Sequence, residues 1–470
     1  MENRITRWVY DHSPVWAQHL FASAFGYWKI RRRYGADYER WHEFFTRSFS
    51  WSRAELEAYQ QERLAATLQD AYEHVPFYRQ RFEACGLRPE DIRTVADLPK
   101  LPLLEKSELR QAGEQALSTQ FSRTQIRSAV TSGSTGYPLT NYWSVEAEQR
   151  EYAFGWARGR RGIRRGQSYG SFTGVQIVRP EVVRPPFWRV NYPAGQTCYS
   201  VFHMSPATLP YYVDQLRRAR HVYLEGYPSP IALLGRYILE QGIDWPCPPQ
   251  AVYTTAEQLL PEYRQHIEKG FKTRVYDQYG QNEKVSTITE YECGHLHYDP
   301  DYGIIEFVPF GKADDGRTIC EMVCTGFENF AAPLIRYRVG DLAILPENPP
   351  ACALFAGPIV ESIYGRTAQA LVGRDGRRYT NISVIAKRCH HVDAMQCVQE
   401  RPGVVEIRVV RAAGFADADE RNILRQFQVK MGQMEFVVRY VDRIERTASG
   451  KYLSIISHVS PALLVSPASD

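Results

Sequence analysis

An α/β fold is predicted for this chain: a large N-terminal domain with a parallel sheet flanked by helices and a barrel-like β layer, then a small α+β domain. Three observations predict it. First, apolar, β-branched runs at 221–227 (HVYLEGY), 249–257 (PQAVYTTAE) and 272–280 (KTRVYDQYG) are separated by helical stretches, ATLPYYVDQLRRA and SPIALLGRYILEQG. Strand, helix, strand in that order implies parallel pairing with helices on the sheet faces. Second, between 295 and 345 shorter strands and turns take over, which marks an antiparallel or barrel-like layer. Third, beyond Gly365 the strand VVEIRVVR, the helix DADERNILRQFQVKMG and the strand MEFVVRYV form an α+β unit.

The elements before the sheet are helical. Residues 16–28 place Trp16, Leu20, Phe21 and Trp28 at helical spacing, read as packing positions with binding to a membrane surface as the alternative. The stretch SWSRAELEAYQQERLAATLQDAYEHVPFYRQRF reads as helix from an N-cap serine to a break at Pro76. LPKLPLLEKSELR is a proline-punctuated connection into a helix beginning near Ser107, and ENPPACALFAGP (347–358) is a surface connection. The expected domains are 1–365, with a helical segment over 1–120, and 366–470.

Composition narrows the class. At 470 residues more than one domain is expected. With 44% hydrophobic and 23% charged residues, the chain can bury a sizeable core and is not disordered. A formal charge of +4 is too small for a dedicated nucleic-acid binder. Basic runs at 29–35 and 157–167 read as a solvated helix end and a basic loop, or as a patch for a phosphorylated small molecule. Nine scattered cysteines without a CxxC pair point to reduced thiols in the cytoplasm. The N-terminus lacks an apolar h-region, and no window approaches the roughly 18 apolar residues that span a bilayer, so a cytoplasmic protein without a membrane span is expected.

The loop TSGSTGYPLT (131–140) is neither a Walker loop nor GxGxxG. Gly133 and Gly136 permit positive φ and close backbone approach. Successive N–H groups, with the Ser132, Ser134 and Thr135 hydroxyls, can then form a concavity for phosphate oxygens, although Ser/Thr/Gly runs also serve as plain turns. Four further segments bear on the choice: YGQNE (279–283) after a strand, IRYRVGD (335–341), YGR (364–366) and RTASGKY (446–452).

In order and spacing these five segments resemble the motifs of the adenylate-forming superfamily, which includes acyl- and aryl-CoA synthetases, luciferases and nonribosomal adenylation domains. The phenylacetate–CoA ligase branch, with its capsule-biosynthesis relatives, is the most similar, through HVPFYRQRF, LPLLEKSELR, GYPSPIALL and PLIRYRVGDLA. The resemblance runs from about residue 55 to 455. It implies that ATP and a carboxylic acid, aryl or arylalkyl, give an acyl-adenylate, and that CoA then takes the acyl group as a thioester. Transfer to an amine or hydroxyl is the alternative, and a non-catalytic nucleotide-binding homologue a lesser one. A homodimer is allowed for.

The resemblance also implies residue roles. Ser132, Gly133, Ser134, Thr135 and Gly136 hold the departing phosphates. Ala256 and Glu257 line the adenine and acyl sites, and Tyr279, followed by Gly280, stacks on adenine. Glu283 binds Mg²⁺, which prefers hard oxygen ligands. Asp341 accepts from the ribose hydroxyls and Arg366 contacts ribose or phosphate. Lys451, on the small and mobile C-terminal domain, bridges the carboxylate and α-phosphate. Three positions depart from the family pattern: Tyr137 replaces a lysine, Val339 replaces a threonine, and TAQAL after Arg366 lacks an acidic pair.

Cys293 and His297, with Cys320 and Cys324, could ligate zinc, as a Cys/His set does in some members of this branch. The alternative is buried thiols beside turn histidines, since the usual knuckle spacing is missing. The run RCHHVD (388–393) is open to the same two kinds of reading, metal binding or, as is more usual for such a run, the surface of a helix.

Overall fold

The computed structural model describes residues 4–130, 140–160, 162–179, 181–313, 316–327, 329–366, 371–374, 378–379, 385, 389–432, 434–445 and 453–459. These fall into two compact units. One holds the described residues up to Val339 together with Ile344–Ser362. The other holds Gly340–Ala343 and the described residues from Ile363 onward.

The first unit opens with helices α1 (Arg4–His12), α2 (Val15–Arg33), α3 (Ala36–Ser48), α4 (Arg53–His74), α5 (Pro76–Ala84) and α6 (Lys106–Ala112). The helical stretch around 50–82 divides for a reason visible in its residues. Ser52 and Glu55 close a capping box that starts α4. Pro76 has no N–H to continue α4, and its fixed φ suits the first position of α5. Strands β1 (Ile126–Val130) and β2 (Thr140–Ser144) pair antiparallel, with Val130 opposite Thr140.

The main sheet follows α7 (Val145–Phe154). It is built from β3 (Tyr169–Phe172), β4 (Trp188–Asn191), β5 (Gln196–Tyr199), β6 (Tyr223–Gly226), β7 (Ala251–Thr255), β8 (Val275–Gly280), β9 (Thr287–Glu290) and β10 (Leu296–Tyr298). Its centre, β5-β3-β6-β7-β8, is parallel. The crossovers are α8 (Leu209–Ala219), α9 (Pro228–Glu240) and α10 (Pro261–Phe271), as strand–helix alternation requires. The edges are antiparallel, with β4 on β5 at one side and β9 and β10 at the other, because turns too short for a crossover join those strands.

Strand residues Phe172, Leu224, Val252 and Val275 pack against Leu216, Ile231, Ile267 and Phe271 of the helices. Burying each such side chain contributes about 2 kcal/mol. The backbones of α9 and α10 nearly touch: a Cβ on Gly235 would lie 2.3 Å from the His266 carbonyl oxygen, and one on Gly270 would lie 2.5 Å from that of Gly235.

The antiparallel layer comprises β11 (Gly303–Lys312) and β12 (Thr318–Gly326), with a register shift between Pro309 and Gly311, and β13 (Tyr337–Ile344). Leu104, ahead of α6, bridges to Tyr337 at the start of β13. Strand β14 (Ile359–Val360) returns to the main sheet beside β10.

The second unit contains β15 (Ser362–Arg366) from Ile363 onward, β16 (Leu371–Val372), β17 (Arg378–Tyr379), β18 (Val392–Arg401), β19 (Val404–Arg411), α11 (Asp417–Met431), β20 (Glu435–Tyr440) and β21 (Ile455–Ser457). Its main sheet runs β20-β19-β18-β21. Ile423, Phe427 and Met431 on α11 pack against Val405, Ile407 and Val409 of β19. Residues 389–391 precede β18 rather than lying on a helix, and His391 Nδ1 sits 3.1 Å from the Asp419 carboxylate. The helix reading of RCHHVD is thereby corrected.

Candidate functional site

The carboxyl edge of the parallel strands collects the first group of candidates. Strand β6 ends on Gly226, at φ +140°, where a Cβ would meet the Phe172 carbonyl oxygen at 2.2 Å. Only glycine lets β6 turn there into α9 against β3. Strand β7 leaves the sheet through Ala256, a non-glycine residue at φ +68°. Glu257 follows, and its carboxylate accepts a hydrogen bond of 3.3 Å from the Ser229 N–H at the start of α9. Thr255 pairs with Gln278, so Tyr279 and Gly280 end β8 beside this turn. Ala256, Glu257, Tyr279 and Gly280 thus share the edge at which α/β sheets receive ligands.

Glu283 lies in the turn after β8. Its side chain is 8% exposed, and its carboxylate accepts a 3.0 Å hydrogen bond from the hydroxyl of buried Tyr337. The Lys106 ammonium stands 3.8 Å from the same oxygen and 6.0 Å from the centre of the Tyr337 ring. A carboxylate held this way is a hard oxygen ligand already placed beside a cation. Lys106 was not singled out from the sequence, although it lies in LPLLEKSELR. The Leu104–Tyr337 bridge is what carries it to Glu283.

The arginines of RYRVGD are committed to the fold. Arg336 forks onto Glu306 at 2.8 and 3.0 Å, and Arg338 reaches Glu321 at 2.6 Å and Glu105 at 2.9 Å. Burial pushes the Asp277 carboxyl on β8 up to about 7, although the Thr254 hydroxyl donates to it at 2.8 Å. Asp277 and Tyr279 share one face of the strand.

The remaining nucleotide candidates are placed less fully. Asp341 is 4% exposed and belongs to the second unit. Arg366 ends β15, and its side chain lies outside the described residues. Ser132, Gly133, Ser134, Thr135, Gly136, Tyr137 and Lys451 also lie outside them.

The metal candidates are corrected. Cys293 and His297 do come together, but with His295 and Cys352: one ligand atom from each of the four lies within 4.8 Å of all the others. Cys320 and Cys324 are instead buried in β12, where Cys324 Sγ lies 3.2 Å from the Ser286 hydroxyl. Their even spacing aligned them with each other on one strand, not with the turn at 293–297. His297 Nδ1–H donates to the Gly357 carbonyl at 2.7 Å, which leaves Nε2 unprotonated and 3.5 Å from Cys293 Sγ. This is how a metal-binding imidazole is oriented by its second nitrogen. No spacing rule reaches from His297 to Cys352. Pairing of His297 with Ile359 across β10 and β14 is what returns the 352–358 segment to it.

Comparison with known proteins adds the following. Residues 371–458 match the family model described as the CapK C-terminal domain. Protein CapK from Staphylococcus aureus is 27% identical over 96% of this chain and 99% of its own length. A phenylacetate–coenzyme A ligase from Pseudomonas putida is 28% identical over 62% of this chain and 66% of its own, so that likeness spans about two-thirds of each. In fold, the chain is similar to 2-hydroxyisobutyryl-CoA ligase in the postadenylation state in complex with R3-HIB-AMP. The TM-score is 0.66, at 18% identity over 89% of this chain and 92% of that one.

Proposed function

Because the chain belongs to the adenylate-forming superfamily, in the branch of the phenylacetate–CoA ligases and CapK, we propose that it activates a carboxylic acid with ATP and passes the acyl group to CoA. A carboxylate oxygen attacks the α-phosphorus, the bond to pyrophosphate breaks, and an acyl-adenylate forms. The CoA thiolate then attacks the acyl carbon, and AMP leaves as the thioester forms. The acid, aryl or arylalkyl by resemblance, must approach an anionic phosphate, so oriented donors and cations carry the catalysis.

The observation that supports this reading most is the Glu283–Tyr337–Lys106 arrangement beside the carboxyl edge of β6, β7 and β8. Glu283 is the residue that would hold Mg²⁺, which supplies charge against the phosphates when bound. Tyr337 orients that carboxylate. Tyr279 and Gly280 offer a ring and an unobstructed backbone to the adenine, and Ala256 and Glu257 line the neighbouring turn. Residues 132–136 cradle the departing phosphates, Asp341 and Arg366 take the ribose side, and Lys451 delivers the cation to the reacting carboxylate. Tyr137, standing where relatives carry lysine, makes Lys106 and Lys451 the more important sources of positive charge.

Cys293, His295, His297 and Cys352 are proposed to hold a structural zinc ion that ties the turn after β9 to the segment before β14.

ATP–pyrophosphate exchange over a panel of aryl and arylalkyl acids tests the activity. Acid-dependent exchange is expected, with loss on Lys451→Ala and no change in unfolding temperature. Silence across the panel would sink the enzymatic reading. Turnover with an amine and no CoA would replace the thioester step by amide formation.

A further inference from the structure

Helix α2 is turned inside out. Its outward stripe runs Trp16, Leu20, Ala24, Tyr27, Trp28 and ends on Arg31, positions that fall on one face of a helix. Its inward side holds Gln18, which donates to the Tyr10 carbonyl at 2.9 Å, and His19, which accepts from the Val190 N–H at 2.9 Å. Helix α1, which precedes it, also exposes Ile5 and Trp8. The large apolar side chains of this stripe, with those two, are each between 52% and 71% exposed. Tyr192, 64% exposed, borders the surface, edge-on to His19. A surface helix normally presents polar residues to water, and a contiguous apolar patch marks a place where something else covers it.

Charge says what covers it. Residues 1–35 hold six Lys and Arg against two Asp and Glu, a balance of +4, which is the formal charge of all 470 residues. Cations also sit over the rings at the end of α2: exposed Arg31 over Tyr27 at 5.8 Å, Lys29 over Phe25 at 4.4 Å, and Arg32, which also pairs with Glu148 at 2.5 Å, over Trp28 at 4.7 Å. A second copy of the chain would bring the same positive charge to a two-fold contact and be repelled. An anionic surface would be attracted. Aromatic rings beside arginine and lysine are suited to the boundary between headgroups and acyl chains. Among the described residues no helix is long and apolar enough to cross a membrane, so α1 and α2 would lie in the plane of the surface.

We propose that the outward face of α1 and α2 docks the protein on an anionic lipid bilayer, with Trp8, Trp16, Leu20 and Trp28 entering the interface and the cations around Arg31 meeting the phosphate headgroups. Cosedimentation of the full chain with vesicles of phosphatidylcholine, alone or mixed with phosphatidylglycerol, tests it. Binding to the mixed vesicles, weakened by salt, is expected. Trp16→Glu with Leu20→Glu should abolish it while the circular dichroism spectrum is unchanged, since both side chains are exposed. Arg31→Gln should weaken it about fivefold, the effect of one surface charge. Failure to sediment with the mixed vesicles overturns the proposal. So does light scattering that shows a dimer which the Trp16→Glu, Leu20→Glu pair converts to monomer.

Discussion

The hydroxyl of Tyr337 donates a 3.0 Å hydrogen bond to the carboxylate of Glu283. The two residues come from segments 54 positions apart, YGQNE and RYRVGD, and the bond ties those segments together. Lys106, from a third segment, approaches the same oxygen. Variants of Glu283 and of Lys106 have distinct expected phenotypes.

Glu283→Gln keeps the shape and can still accept from Tyr337 but removes the charge. Acid-dependent ATP–pyrophosphate exchange should fall by at least about a hundredfold, the scale of losing a preorganised electrostatic partner. The urea midpoint should barely move. Exchange that persists at the wild-type rate would remove Glu283 from the metal role. Lys106→Ala should instead raise the KM for ATP about tenfold, one charge-assisted contact, with partial recovery in Lys106→Arg.

One zinc ion per chain should be found by elemental analysis of protein prepared without chelator. Cys352→Ser should lose that zinc and lower the unfolding temperature, whereas Cys320→Ser should keep the zinc. Equal zinc in wild type and Cys352→Ser would defeat the four-residue site.

Gly270→Ala should cost roughly 1–3 kcal/mol, because the added methyl meets the backbone of α9 with no flexible side chain to yield. Gly280→Ala meets nothing within 4 Å and should leave stability unchanged. If Gly280 admits a ligand closely, that variant should weaken ATP binding. Denaturant unfolding and nucleotide titration separate the two effects.

His221 lies between the Ser168 hydroxyl, 2.8 Å from Nδ1, and the Tyr199 hydroxyl, 2.9 Å from Nε2, and burial brings its pKa down from 6.5 to about 4. The folded state therefore holds it neutral while the unfolded chain takes up a proton. Its stabilising effect is complete above pH 6.5 and is lost as pH falls toward about 4, on the order of 3 kcal/mol. His221→Gln should flatten that dependence in urea unfolding measured across the window. An unchanged slope would assign the acid sensitivity elsewhere.

The parallel strands were legible because their period is local: HVYLEGY, PQAVYTTAE and KTRVYDQYG each carry an apolar run bounded by turns. Pro76 was legible as a break, since its missing N–H acts on its own helix. The place of Tyr279, Gly280 and Glu283 at the carboxyl end of a parallel strand was legible from the apolar run before them. The inverted face of α2 was not. Its helical spacing was plain, but spacing alone does not say which side meets the core.

By itself the sequence determined what depends on neighbours along the chain: the α/β class, the capped start of α4, the alternation of crossover helices, and the candidate segments in order. The tertiary structure alone decided what depends on closure over long separations. Strand β14, by pairing with β10, brought Cys352 to His297 and left Cys320 and Cys324 elsewhere. The bridge from Leu104 to Tyr337 brought Lys106 to Glu283. Side chains far apart in sequence meet only through such pairings, and a pairing is set by which buried faces fit, not by spacing.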